Sequence, residues 1–130
     1  MILDTSAVCA ICFDEPGAHT LLDALESAAS LKISAPTVVE LNAVLIRSGP
    51  PQVQRRVERL LEAWEVEVVP FDGVHAAVAS RAYRDYGRGT GHPAALNLGD
   101  CYSYALAVTA NEPLLFVGDD FAHTDVDRAT

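Results

Sequence analysis

The spacing of apolar positions changes repeatedly along the chain, and each change marks a new element. Met1–Leu3 is a short apolar run that stops at Asp4, as a buried strand would. Ala7–Phe13 predicts a short helix, broken by Asp14-Glu15-Pro16-Gly17. Between Ala18 and Ala29, Leu21, Leu22, Leu25 and Ala28 recur at helical spacing. Leu31–Ser34 predicts a strand, and Pro36–Ile46 a helix closed by Ser48-Gly49-Pro50-Pro51. Gln52–Trp64 is amphipathic, with Val53, Val57, Leu60, Leu61 and Trp64 along one side. Val66–Val69 predicts a strand, and Asp72–Tyr86 a helix that Gly87 ends in a left-handed conformation. A glycine-rich loop, Gly87–Pro93, leads to a helix at Leu98–Thr109 and a last strand at Leu114–Val117. Strands alternating with helices imply an α/β fold with a mainly parallel sheet wrapped by helices. Sites in such sheets form beyond the carboxyl ends of strands. That rule singles out Asp4 and the Asp119-Asp120 pair, each following an apolar strand.

Composition narrows the class. The 130 residues make one domain, 1–130, and 50% are apolar, enough for a core without disulfides or metals as staples. With 21% charged residues the chain is not of the disordered type. No apolar run approaches the roughly eighteen residues of a membrane span. The opening Met-Ile-Leu-Asp lacks a basic leader, so a soluble cytoplasmic protein is expected. Cys9 and Cys12 form a C-x-x-C with no second pair, and the four histidines are scattered, so a zinc site is not indicated. These cysteines and Cys101 read as buried helix residues. The net charge is −9, with Lys32 the sole lysine, which opposes broad electrostatic attachment to nucleic acid.

Four acidic contexts carry the chemistry: Asp4 at a strand end, Glu40 in an apolar helix, Asp100 at a helix start, and Asp119-Asp120 after the last strand. Each has a plain structural role open to it. Asp4 can cap the next helix, Thr37-x-x-Glu40 matches a capping box, Asn97-x-x-Asp100 fits a helix start, and Asp119-Asp120 fits an exposed turn. Gathered at one sheet edge, however, they would repel. Two charges ~5 Å apart at an effective dielectric of ~20 cost about 3 kcal/mol. A cation resolves this, and oxygen-only donors select Mg2+ or Mn2+. Such ions on clustered carboxylates suit phosphoryl chemistry and turn an acidic pocket into a phosphate site. Two arginine groups, Arg81, Arg84 and Arg88, and Arg55, Arg56 and Arg59, are read either as solvated helix faces or as contacts to a phosphate backbone.

These residues bring out a family resemblance that spans essentially the whole chain. Met-Ile-Leu-Asp-Thr-Ser-Ala resembles the opening of PIN-domain proteins, and the Glu40 helix their second acidic position. Tyr86-Gly87-Arg88-Gly89, the run from His92 to Ala107, and Pro113–Phe121 with the tail His123-Thr124-Asp125 are similar to segments of VapC-type toxins. The resemblance implies a three-layer α/β/α fold and a Mg2+- or Mn2+-dependent endoribonuclease. It also implies a cognate VapB-like antitoxin and a homodimer. It maps the acidic set onto Asp4, Glu40, Asp100 and Asp120, with Asp120 preferred because it directly precedes Phe121. Asp119, Thr5 and Ser6 are assigned assisting roles. Transfer and ribosomal RNA are the candidate substrates.

Two rival functions stand beside this one. The first is a PIN-like module that only binds RNA or protein. A complete acidic set argues against it, and titration with Mg2+ and Mn2+ separates the two. The second is a phosphorylated receiver domain, which needs a lysine beside the acidic pocket. Lys32, in an early strand, is the only one available. The apolar side of Gln52–Trp64 is open to its own core or to an antitoxin helix.

Overall fold

A computed structural model describes the whole chain, Met1–Thr130. The elements follow the predicted order: β1 (Ile2–Leu3), α1 (Thr5–Cys12), α2 (Ala18–Ser27), β2 (Lys32–Ser34), α3 (Ala35–Ser48), α4 (Pro51–Ala63), β3 (Glu67–Val69), α5 (Gly73–Tyr86), α6 (Leu98–Ala110) and β4 (Leu114–Leu115). A short 3-10 helix at Asp120–His123 follows. The strands form one sheet, ordered β3-β2-β1-β4, and every pairing is parallel. β1 is therefore central, with Ile2 opposite both Lys32 and Leu114.

Side chains alternate across a strand, and here the alternation divides the core in two. Ile2 and Leu114 pack with Val78 and Ala82 of α5 and Cys101, Ala105 and Leu106 of α6. Leu3, Ile33 and Leu115 pack with Val8 and Ile11 of α1, Leu25 of α2, Leu41 and Leu45 of α3 and Val57 of α4. A sheet with a helical layer on each face is the three-layer α/β/α arrangement expected. The outer edge of β4 is covered by the tail, through Leu114 N–H to Asp127 O (2.8 Å) and Ala129 N–H to Leu114 O (2.9 Å). The apolar side of α4 is taken up by the molecule's own core: Val57 is buried, and Val53, Leu60, Leu61 and Trp64 pack around it. No helix is long and apolar enough to cross a membrane.

Three local expectations are corrected. The last strand ends at Leu115 rather than Val117. Its partner β1 gives way to α1 after Leu3, and the Val117 N–H instead donates to Ser6 Oγ (3.1 Å). Helix α3 begins at Ala35 after Ser34, so Glu40 lies in its sixth position, too far along to close a capping box with Thr37. Gly87 ends α5 at φ −69°, not in the left-handed region. Glycine is needed there for space, because a Cβ would run into the Tyr83 carbonyl.

Candidate metal centre

Because β1 is central, its carboxyl end opens between the two helical layers. The Asp4 N–H completes the sheet by donating to Leu115 O (3.0 Å), and the chain then turns into α1. Asp4 caps that helix: its Oδ2 accepts from Ser6 N–H (2.9 Å) and Ser6 Oγ (2.6 Å). Its Oδ1 accepts from Ser103 Oγ (2.7 Å), one turn beyond Asp100 on α6. The Ser103 hydroxyl also lies 3.3 Å from Thr37 Oγ1 of α3, and both residues are fully buried. Two helices thus hold the carboxylate directly, with α3 behind Ser103, and Oδ1, which accepts a single hydrogen bond, keeps lone-pair capacity for a cation.

Asp100 is in the first turn of α6, at the helix start expected, and a capping box forms there with Asn97. Asn97 Oδ1 accepts from Asp100 N–H, and Asp100 Oδ2 from Asn97 N–H, each at 2.8 Å. The structural role and the site role coexist, since Oδ1 of Asp100 is left uncommitted by that box. Glu40 reaches the site from α3, and its carboxylate rests against the backbone at Gly99. A Cβ on Gly99 would overlap that carboxylate. Asp120 arrives from the 3-10 helix after β4.

These four carboxylates border one open cavity of about 300 Å³, with Thr5, Ser6, Cys9 and Asn97 also in its wall. Asp119 is exposed and is not part of that wall, which separates it from its neighbour Asp120. Arg81, Arg84 and Arg88 are exposed and lie outside the wall, and Arg84 is engaged by Asp85 (2.9 Å).

Electrostatics register the crowding. Burial, opposed by the Asn97 N–H and reinforced by Asp4, Asp120 and Glu40, pushes the Asp100 carboxyl up to about 7. Glu40 is raised too, chiefly by burial and then by Asp4, with the nearby Thr5 hydroxyl pulling the other way. That hydroxyl is buried and makes no well-formed hydrogen bond of its own. Burial, Cys12 and the surrounding carboxylates push the Cys9 thiol up to about 11, so it faces the cavity as a neutral thiol and leaves the donor set to oxygen.

The donor set fits a hard divalent ion: four carboxylates around one cavity, with those of Glu40 and Asp100 raised, an orphaned hydroxyl, and room for water. No three acidic, histidine or cysteine side chains close tightly enough to cage an ion by themselves. Mg2+ usually keeps several waters and takes one or two protein carboxylates, so an open acidic cavity is compatible with it.

Three parts of the site were not legible beforehand. Ser103 carried a faint signal, since it stands three residues after Asp100 and hence on the same helix face. Thr37 was read as a cap, and Gly99 gave no signal of its own.

With the geometry established, comparison with known proteins adds the following. The PIN domain family model matches residues 1–127. Ribonuclease VapC42 of Mycobacterium tuberculosis (strain ATCC 25618 / H37Rv) is 55% identical over 126 residues, 97% of this chain and 96% of that protein. The crystal structure of Mycobacterium tuberculosis VapC20, described as a sarcin–ricin loop cleaving toxin, matches with TM-score 0.75 and 14% identity, over 96% of this chain and 95% of that one. VapBC-5 of the same organism, a member of the VapBC family of toxin–antitoxin systems, matches with TM-score 0.60 and 20% identity, over 98% and 92%. At such identities the structural likeness concerns the fold.

Proposed function

The chain belongs to the PIN-domain family, and from that premise we propose that it is a metal-dependent endoribonuclease, the toxin of a VapBC-type pair, using Mg2+ or Mn2+ held by Asp4, Glu40, Asp100 and Asp120. The observation that carries this reading is the convergence of these four carboxylates, from four separate elements, on one cavity. The 55% identity to a protein named as a ribonuclease supports the activity, and divalent-metal dependence is typical of the family.

Asp4 and Asp100 are the principal ligands because each borders the cavity and is fixed by hydrogen bonds that leave its Oδ1 with acceptor capacity. Glu40 and Asp120 complete the set, directly or through water. When bound, a divalent ion supplies charge neutralisation and acidifies water for attack on a phosphodiester. In the cleavage, water oxygen bonds to phosphorus in line with the departing bridging oxygen, whose bond to phosphorus breaks. Ser6 steadies both Asp4 and the segment leading to Asp120, through its bonds to Asp4 Oδ2 and Val117 N–H. Thr5 places an unpaired hydroxyl in the wall, suited to orient water. Asp119 assists from outside, and Arg81 and Arg88 are exposed and unpaired, available to phosphates.

A VapB-like antitoxin, a homodimer and a cytoplasmic setting complete the proposal. The test is incubation of the purified protein with total RNA, transfer RNA and ribosomal RNA, with and without Mg2+ or Mn2+. Cleavage that needs the ion and disappears in Asp100→Asn supports the reading. Ion-dependent cleavage that survives in Asp100→Asn overturns the site. RNA binding with no cleavage under any ion would favour the binding-module alternative.

A further inference from the structure

The chain has nine lysines and arginines against eighteen acids, so its cations are scarce and their placement is informative. Lys32 is bound to Glu112 and Arg84 to Asp85. Arg55, Arg56 and Arg59, by contrast, stand together on α4, all exposed, and none forms an ion pair. Glu58 and Glu62 lie on the same helix but close no bridge with them. Arg55 and Arg59 are also four residues apart on one helix face, a like-charge spacing that weakens a helix. The three guanidinium groups, with Gln52, Leu60 and Ala63, line an open cavity of about 610 Å³.

This cavity shares no lining residue with the acidic one, but residues of α1 touch both. Arg56 Nη1 donates to the carbonyl of Cys12, the last residue of α1 (3.3 Å). Cys9, one helical turn earlier, is in the wall of the carboxylate cavity, and a three-residue step along a helix is only about 4.5 Å. An RNA strand that leaves the acidic cavity along α1 runs toward the helix that carries these arginines. Guanidinium groups recognise phosphate oxygens by paired N–H donors, and such contacts position a backbone without reading its sequence.

We propose that Arg55, Arg56 and Arg59 form a phosphate-binding pocket that holds the RNA strand beside the cleavage centre. The proposal rests on the ribonuclease reading and deepens it. It explains how a protein of net charge −9 holds a polyanion: the attraction is local, at a cluster of three arginines, rather than spread over the surface.

The experiment uses the full chain with the substitutions Arg55→Ala and Arg59→Ala together, and Arg55→Lys with Arg59→Lys as the charge-keeping control. Arg56 is left in place because it ties α4 to α1. Binding of a labelled oligouridine of about 20 nucleotides is measured by anisotropy in the Asp100→Asn background with Mg2+, across a range of salt. The alanine pair should weaken binding about tenfold and flatten the log Kd against log salt slope by about 1.4, two contacts at ~0.7 each for a single strand. The lysine pair should restore most of the slope, and inorganic phosphate should compete in the arginine protein. In the otherwise wild-type enzyme, the alanine pair should raise KM more than it lowers kcat on long RNA. An unchanged slope and affinity, with total RNA still cut by the wild type, overturns the pocket and leaves the ribonuclease reading standing. RNA binding at full strength together with loss of antitoxin binding assigns the pocket to a protein and overturns the proposal. A wild type that cuts no RNA with Mg2+ or Mn2+ sinks the ribonuclease reading itself.

Discussion

Replacing Asp100 by asparagine should stabilise the metal-free protein at pH 8 while removing its response to divalent ions. Asp100 is 9% exposed and shares its cavity with Asp4, Glu40 and Asp120. Burial first, and these neighbours next, raise its carboxyl from 3.8 to about 7. Between those two values the folded protein holds a proton that the unfolded chain has released. By linkage the stability of the metal-free fold must then fall as pH rises from about 4 to about 7, and stay low above it. Each tenfold change in proton affinity is about 1.4 kcal/mol, so the loss from this one group is ~2–4 kcal/mol. Asparagine cannot ionise, yet its Oδ1 can still accept from the Asn97 N–H and preserve the helix start. The assay is thermal melting in chelator from pH 4 to 8, repeated with saturating Mg2+ or Mn2+. At pH 8 without metal, Asp100→Asn should melt higher by roughly 6–20 °C, taking about 3–5 °C per kcal/mol for a domain of this size. With metal, the wild type should gain by mass action and the variant should gain little. Parallel pH profiles for the two proteins, or a variant less stable than wild type at pH 8 in chelator, would refute the reasoning.

Three further outcomes follow from individual contacts. Gly99→Ala should leave the fold intact, because the atoms its Cβ meets are the movable end of Glu40; metal affinity, read by calorimetry, should fall about tenfold or more, the range seen when support around a metal site is disturbed. Ser103→Ala removes the hydroxyl that donates to buried Asp4 Oδ1, so denaturant unfolding should show a loss of about 1–3 kcal/mol, with reduced RNA cleavage at limiting metal. Gly87→Ala drives a Cβ into the Tyr83 carbonyl and should cost about 1–3 kcal/mol in the same assay, with a smaller effect on metal affinity than Gly99→Ala, since the residue is not in the cavity wall.

The sequence by itself determined the order and kind of the elements, because hydrophobic period is a local property. It also determined that Asp4 follows a buried strand and that Asp100 opens a helix, because caps are written within three or four residues. The family likeness was legible for the same reason: its motifs are contiguous runs. Tertiary structure decided everything that depends on two distant segments meeting. The central position of β1 is what lets Asp4 accept from Ser103 across 99 residues of chain. Helix packing set the Glu40 carboxylate against Gly99, where only a glycine leaves it room. The geometry of the 3-10 helix brought Asp120, not Asp119, into the cavity wall. Thr37 looked like a cap and proved to be a buried partner of Ser103, because α3 starts three residues earlier than a cap at Thr37 would require. The α5 arginines could not be told from the α4 arginines by composition, and only the path of α1 between two cavities distinguishes them. Local chemistry is encoded along the chain, whereas the repulsion that calls for a cation exists only once packing has brought the charges together.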